Sequence, residues 1–326
     1  SFSETTTASF SADMFLGAVT GGALAPGRPT DKDTLGDGLM AGYSFQIDLN
    51  TSFTGEDSLD ISIDAGNTSA TTLGIAEFDG NGGGDTLSVD GVSYTFPLGD
   101  KTTVIVGDNT DGSALFTTAC AYGGPSDTLD DCGNVNAGIT NGGAMAGASY
   151  DFGNGLTTAV GYAAGETDMA TGLMTKETLD AYGVNAAYTG DNYGFSVTYG
   201  LVETSSADED TYTAFNGYYA PEGFPSISVG YEIGEDGSVT DKTADELTSF
   251  FVGLQWDEFG PGTAGIAVGT KTPTVEKTDE QYMYEAFYSY PINDGMTITP
   301  LVFIKETSTA GVDDETGVMV KTSFSF

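Results

Sequence analysis

Hydrophobic and polar residues alternate with a period of two along most of the chain, and the pattern is clearest at its end. In residues 317–326, Val320, Phe324 and Phe326 share one face of a predicted strand, whereas Lys321 and two serines lie on the other face. An apolar face that ends in an aromatic residue, backed by a polar face, is typical of a strand with lipid on one side and water on the other. The pattern therefore predicts that this strand closes an outer-membrane β-barrel.

Alternating runs bounded by Gly, Asp, Asn and Pro clusters predict sixteen strands in all. The first five cover residues 5–16, 39–54, 58–66, 86–97 and 101–108. A long break follows at 109–141, and an earlier one at 67–85 contains an apolar piece, 73–78, that could be a hairpin arm or an extra strand. The later strands form a meander with turns at residues 151–155, 190–192, 221–223, 257–260 and 293–295. An even number places both ends of the chain on one side, as in bacterial single-chain barrels.

Aromatic residues cluster at both ends of the predicted outward face. Those near the short turns are Tyr150, Phe152, Tyr188, Tyr219, Trp256, Tyr288, Tyr290, Phe324 and Phe326. Those toward the long loops are Tyr162, Tyr182, Tyr199, Tyr231 and Tyr282. Such belts are expected where amphipathic rings meet lipid headgroups. We therefore predict an all-β fold, a 16-stranded antiparallel transmembrane β-barrel with short periplasmic turns and long extracellular loops, as one domain over residues 1–326.

The composition excludes several classes of protein. No apolar run approaches the roughly 18 residues of a transmembrane helix. The 48 acidic residues outnumber the 9 basic ones, so nucleic acid is excluded as a partner, because phosphate contacts need basic residues. Without His, and without a Ser-x-x-Lys or Gly-x-Ser-x-Gly motif, the sequence predicts no enzyme. The acidity indicates either a mouth that concentrates cations or adaptation to a salty medium.

The two cysteines, Cys120 and Cys132, both lie in the long break. A chain that crosses an oxidising compartment is expected to join them in a local disulfide. There is no His or second cysteine pair for a zinc site. The bridge would either hold the shape of a loop that narrows a pore or staple a surface loop against proteolysis.

Six short stretches recur in the same order in a known family. They are Thr51-Ser-Phe-Thr-Gly55, Ala65-Gly-Asn67, Tyr94-Thr-Phe-Pro-Leu-Gly-Asp100, Tyr150-Asp-Phe-Gly-Asn-Gly155, Gly161-Tyr-Ala-Ala-Gly165 and Val320-Lys-Thr-Ser-Phe-Ser-Phe326. In these stretches the chain resembles the cyanobacterial outer-membrane porins related to carbohydrate-selective porins. The resemblance implies a homotrimeric channel for inorganic ions in a cyanobacterial outer membrane, with iron uptake for some members. Many members carry an amino-terminal surface-layer-homology domain and a coiled coil, and we expect neither in this form.

The break at residues 109–141 is the third long loop, and it is predicted to narrow the pore. The prediction rests on analogy with general porins, in which the loop at that position folds inward. Its acids are the candidate constriction residues, namely Asp111, Asp127, Asp130 and Asp131. Alternation turns Lys271, Lys305 and Lys321 inward on the barrel wall. A basic arc facing an acidic loop would create a transverse field that separates ions.

Other charged residues are predicted to line the lumen. They are Asp48, Asp60, Asp64, Lys101, Glu232 and Glu285. The alternative to a transverse field is that the inward lysines simply neutralise these acids, and the sequence leaves both possibilities open.

The cluster Asp208, Glu209 and Asp210 could take calcium, which prefers several hard oxygen ligands. It lacks the spacing of a defined calcium loop, so we expect a solvated acid patch and predict no cofactor. Taken together, the sequence predicts an outer-membrane channel for passive diffusion of small hydrophilic solutes and ions, with cations preferred. The rival hypothesis is a structural or adhesive surface barrel with acidic loops and a plugged lumen.

Overall fold

The structure, a computed structural model, describes most of the chain. The described residues are 6–22, 39–68, 77–78, 80–82, 84–140, 142–165, 172–175, 179–204, 208–239 and 245–326. The regular structure in these ranges consists of β-strands. Among the same residues, no helix is long and apolar enough to cross a membrane.

Seventeen strands follow one another along the described chain. Their bounds are β1 (Thr6–Thr20), β2 (Met40–Thr51), β3 (Ser58–Gly66), β4 (Ser88–Pro97), β5 (Thr102–Asp108), β6 (Met145–Asp151), β7 (Leu156–Ala164), β8 (Asp180–Thr189), β9 (Tyr193–Glu203), β10 (Glu209–Tyr219), β11 (Ser226–Glu235), β12 (Glu246–Phe259), β13 (Gly262–Thr270), β14 (Thr274–Val275), β15 (Tyr282–Asn293), β16 (Met296–Lys305) and β17 (Glu315–Ser325).

Sixteen of these strands form a closed antiparallel barrel. β1 pairs with both β2 and β17, which joins the two ends of the sheet. The two-residue strand β14 pairs with β12 beyond the end of β13, and β13 pairs directly with β15. Closure leaves no unpaired edge among the barrel strands, as a sheet in lipid requires. The predicted fold class, an antiparallel barrel of sixteen strands, is confirmed.

Two strands extend beyond their predicted ends for identifiable reasons. β1 runs to Thr20 rather than residue 16, because β17 continues to pair with it as far as Thr316. β12 continues through the predicted turn at 257–260 to Phe259, with a register shift after Trp256. The shift is a bulge, which lets a strand absorb extra residues without losing its partner.

The two faces of the wall differ as the alternation predicts. Outward side chains are apolar and exposed, as at Val184 and Val197, while their neighbours Asn185 and Thr198 face inward and are buried. The same alternation places the buried side chain of Met319 on the inner face of the closing strand. Buried side chains therefore collect inside the barrel.

Aromatic residues are exposed at both ends of the outward face. Tyr150, Tyr219 and Tyr290 are exposed near the short turns, and Tyr182 and Tyr231 toward the long connections. Amphipathic rings in these positions match the two headgroup regions of a membrane.

Candidate pore constriction

The described residues of the connection between β5 and β6, 109–140 and 142–144, lie inside the barrel, and we call them the internal loop. Every second amide N–H from residue 117 to 123 donates to a side-chain oxygen of the wall. The bonds run from Thr117 to Asn185 Oδ1 (3.0 Å), Ala119 to Ser196 Oγ (2.9 Å), Ala121 to Ser228 Oγ (2.8 Å) and Gly123 to Gln255 Oε1 (2.8 Å). The acceptors belong to β8, β9, β11 and β12 in turn. The loop therefore crosses these strands as an extended segment on their inner face.

A buried carboxylate holds the second half of the internal loop. Glu232 of β11 accepts hydrogen bonds from the backbone N–H groups of Asn136 and Ala137 and from the Asn136 side chain, each at 2.8 Å. The Glu232 residue is 2% exposed. Charge-assisted hydrogen bonds of this kind are about twice as strong as neutral ones. Glu232 faces inward as predicted, but its carboxylate anchors the loop.

Glycines on the wall let the loop backbone approach it closely. A Cβ at Gly230 would lie 1.7 Å from the carbonyl oxygen of Cys132, and one at Gly161 would lie 2.0 Å from that of Gly112. Any other residue at these two positions would push the loop away from the wall. Part of the high glycine content of the chain thus serves the contact between loop and wall.

The predicted disulfide is present, with 6.4 Å between the Cα atoms of Cys120 and Cys132. Cys132 belongs to a buried apolar cluster that includes Leu129 of the loop and Phe251 of the wall. Next to the bridge, the Tyr122 hydroxyl donates to Glu285 Oε1 at 2.5 Å. Glu285 of β15 also faces inward and, like Glu232, holds the loop.

The four predicted constriction acids are all exposed within the described loop. They are Asp111, Asp127, Asp130 and Asp131. A cavity of about 470 Å³ is lined by three of them, Asp111, Asp130 and Asp131, together with both cysteines. These three acids therefore border the space that the loop encloses.

Asp131 is the most perturbed of these carboxyls. Although its surface is open to the lumen, protein surrounds it on most sides, and this burial raises its pKa to about 6. The negative charges of Asp127, Glu232 and Asp111 add to the increase. Burial, followed by the charge of Asp90, also raises the pKa of Asp111. Both shifts have the sign expected when like charges share a confined space.

Three inward acids line the wall that the loop leaves open, and neutral groups hold them. Asp48 accepts hydrogen bonds from Ser62 at 2.7 Å and from Gln46 at 2.8 Å. The other two acids bond in the same way, with Asn50 (2.6 Å) and Ser58 (2.6 Å) donating to Asp60 and Ser88 (2.8 Å) donating to Asp64. Hydroxyl and amide donors orient a carboxylate without cancelling its charge.

The predicted lysines occupy four different environments. Lys305 forms an ion pair with Glu77. Lys321 lies 5.7 Å above the Phe78 ring. Lys271 donates to the Glu306 carbonyl at 2.9 Å, beside the long connections. Lys101 lies in the β4–β5 turn, where it donates to the Phe152 carbonyl at 3.0 Å. The structure thus places Lys305 and Lys321 beside the internal loop, and Lys101 and Lys271 near opposite ends of the barrel.

Lys321 also borders a second cavity, of about 340 Å³, between the internal loop and β1, β2 and β17. Asp13 of β1 and Asp130 of the loop line the same cavity. A cation and two carboxylates thus share one opening on the side of the lumen that the loop leaves free.

Glu77 is the functional candidate that the sequence did not reveal. It lies in the break between the third and fourth strands, within the apolar piece 73–78, of which residues 73–76 lie outside the described part. The only hint in the sequence was that Glu77 is a single acidic residue within an otherwise apolar stretch. Its partner Lys305 is 228 positions away, a separation that no local pattern can bridge.

The acid cluster considered for calcium lies at the start of β10. Asp210 accepts hydrogen bonds from the Gly237 N–H at 2.9 Å and from the Tyr212 hydroxyl at 3.1 Å. Within the described residues, no group of three or more His, Cys, Asp or Glu side chains is arranged to hold a metal ion. The expectation of a solvated acid patch at Asp208, Glu209 and Asp210, rather than a calcium site, stays a prediction.

The chain is similar to known porins in sequence and in fold. A sequence model of the Gram-negative porin family matches residues 7–309. A mutant of the porin of Rhodopseudomonas blastica is 14% identical, with a TM-score of 0.64, covering 98% of this chain and 100% of that chain. OprB of Pseudomonas putida is 12% identical, with a TM-score of 0.68, covering 99% of this chain and 94% of that chain. At such identities the two structures show a shared fold alone, and no curated protein matches the sequence significantly.

The family model is a stronger finding than the two structures, because it rests on sequence and spans most of the chain. With the closed barrel, it indicates a channel in the outer membrane rather than an enzyme. The chain therefore belongs to the Gram-negative porin family.

Proposed function

We propose that this outer-membrane diffusion channel prefers cations and that the internal loop forms its constriction. The observation that carries the proposal is the set of exposed loop carboxylates inside the barrel, three of which, Asp111, Asp130 and Asp131, line a cavity of about 470 Å³. A cation that passes the loop meets negative charge at short range, where water and salt screen it least. An anion meets the same charges as a barrier.

The wall opposite the loop supports the same sign of selectivity. Within the described residues, Asp48, Asp60 and Asp64 are held by hydroxyl and amide groups rather than by lysines. These hydrogen bonds favour the transverse-field hypothesis over simple neutralisation. Lys321, beside Asp13 and Asp130, supplies positive charge at the edge of the opening.

The acidic long connections contribute less than the constriction does. At physiological ionic strength, screening limits the reach of an exposed charge to roughly 8–10 Å. A hydrated ion in a wide vestibule is mostly farther away than this, so its selection takes place at the loop. The long connections would face the outside of the cell and the short turns the periplasm, as in other outer-membrane barrels.

The oligomeric state, the type of membrane and the transported class are proposed from the six short stretches that resemble cyanobacterial outer-membrane porins. The proposal comprises a homotrimer in a cyanobacterial outer membrane, with inorganic cations, iron among them, as the transported class. Family membership favours this channel over the rival, a plugged surface barrel.

Conductance in a planar bilayer under a salt gradient tests the proposal. We expect a stable conductance with a cation-selective reversal potential. The variant D127N/D130N/D131N should lose most of that selectivity, whereas E222Q, at an exposed acid in the β10–β11 turn, should keep it. A wild-type channel that selects anions would overturn the assignment of the acids, and a barrel that never conducts would leave the surface anchor as the better explanation.

A further inference from the structure

A second segment enters the barrel beside the internal loop. It belongs to the β3–β4 connection, and we call residues 77, 78 and 80–82 the inner segment. Phe78 is 6% exposed, and its ring centre lies 5.2 Å from that of the inward residue Phe15. The Asn81 backbone N–H donates to Ser44 Oγ at 3.0 Å, from the inner face of β2. The inner segment therefore lies on the inner face of β1 and β2, the part of the wall that the internal loop does not cover.

The inner segment also contacts the internal loop directly. Phe78 forms an antiparallel bridge with Ser126. The Asp127 backbone N–H donates to the Glu77 carbonyl at 3.2 Å, and the Thr128 N–H donates to Glu77 Oε2 at 3.2 Å. These bonds join two connections that are far apart in sequence into one internal structure.

The Glu77 side chain links this structure to β16, which only β17 separates from β1 in the wall. Its other carboxylate oxygen pairs with the ammonium of Lys305 on β16, and the side chains are 2% and 13% exposed, respectively. A buried carboxylate without a cation or several donors would be strongly unfavourable. Glu77 has both, because one oxygen binds Lys305 and the other binds the internal loop.

We propose that the inner segment is a second constriction element, and that Glu77 is a positioning residue that fixes it to the loop and to β16 while cancelling the charge of Lys305. This inference rests on the proposed function. Lys305 then adds no net charge to the lumen, and Lys321, 5.7 Å above the Phe78 ring, is the lysine that faces the opening beside Asp130.

The variant E77Q tests the charge side of this proposal. Glutamine keeps an oxygen for the Thr128 N–H but leaves the ammonium of Lys305 uncompensated. We expect the cation-to-anion permeability ratio to fall about two- to fourfold, the effect of one added unit charge at several ångströms in water. K305Q should raise the ratio instead, because it removes the positive charge that compensates the Glu77 carboxylate. E77Q/K305Q, whose lumen charge equals that of the wild type, should restore the ratio.

The matched control is E276Q, which breaks the exposed ion pair between Glu276 and Lys277 (3.5 Å) outside the lumen. It should leave the permeability ratio unchanged. F78A tests the width of the opening, since removal of the ring should raise single-channel conductance. Circular dichroism shows whether each variant retains its β-structure, and K305Q and F78A keep the proposal testable if E77Q does not fold.

The outcomes separate the two proposals. If the wild type conducts and prefers cations but E77Q, K305Q and F78A all behave like E276Q, the inner segment is not a constriction element. If E77Q and K305Q shift the ratio in the same direction, or if E77Q/K305Q does not return to the wild-type ratio, then Glu77 does not cancel the charge of Lys305. If the wild type does not conduct, the proposed function itself fails.

Discussion

Inward acids on two parts of the barrel wall share one sequence pattern but have different roles. On the covered part, Glu232 and Glu285 are buried and their oxygens accept hydrogen bonds from the internal loop. On the open part, acids such as Asp48 and Asp60 bond to hydroxyl and amide groups of the wall. An inward acid that a loop covers thus acts as a scaffold, because it holds the loop in place. An inward acid that no loop covers lines the lumen.

The difference has an electrostatic consequence. A buried carboxylate that binds backbone N–H groups contributes to the shape of the loop, and its charge is partly offset by the aligned donors. A carboxylate that borders water contributes to the potential that an ion meets. Among the wall acids, stability should therefore depend on the covered ones, and the contribution to selectivity should come from the open ones.

The largest effect on stability is expected from C120S/C132S. The bridge closes a loop of twelve sequence positions, and its loss should cost roughly 3 kcal/mol by the chain-entropy estimate. Chemical unfolding in detergent measures that cost. Because the internal loop would lose its fixed shape, we also expect a changed and noisier single-channel conductance. An unchanged conductance would mean that the loop does not set the width of the pore.

E232A should have the next largest effect. It removes the acceptor of three hydrogen bonds and leaves the N–H groups of Asn136 and Ala137 without their partner. We expect a loss of roughly 2 kcal/mol in the free energy of unfolding. The matched variant D60A, on the open wall, should cost less than half as much. Equal losses in the two variants would contradict the division into scaffold and lining acids.

A smaller effect is expected from a change in pH. Because the pKa of Asp131 is raised to about 6, lowering the pH from 7 to 5 should protonate it. The constriction then loses one negative charge, and cation preference should fall by about twofold. The folded-state pKa lies above the ordinary value, so this group makes the fold more stable as the pH falls through that range. In D131N, the selectivity change between these two pH values should largely disappear.

The smallest effect is expected from D48N. Asparagine can still accept the hydrogen bonds from Ser62 and Gln46, so stability should stay within about 0.5 kcal/mol of the wild type. The loss of one wall charge should lower cation preference by less than about twofold. Reversal potentials at several salt concentrations measure it. A large loss of stability in D48N would show that the open wall also acts as a scaffold.

Sequence alternation predicted the barrel well because it depends on local physics. The period of two separates Val184 from Asn185 within one strand, and the turn residues fix where each hairpin ends. The disulfide followed from two cysteines in one loop. The extension of β12 to Phe259 was missed because a bulge depends on the partner strand and has no clear local signal.

The roles of inward residues could not be predicted in the same way. Glu232 and Asp48 are both acids at inward positions of an alternating strand, so the sequence pattern predicts the same role for both. Their roles differ because Glu232 bonds to a loop residue 96 positions away. The ion pair between Glu77 and Lys305 depends on an even longer separation. Such contacts are set by how the barrel closes around its own connections.

The most direct test of the cation-selective constriction is the reversal potential of D127N/D130N/D131N beside that of the wild type, in the same salt gradient. The wild type should be cation-selective, and the triple variant should shift most of the way toward zero while its conductance stays in the wild-type range. A triple variant that keeps the full wild-type reversal potential would contradict the account, because the acids of the internal loop would then not control the passage of ions.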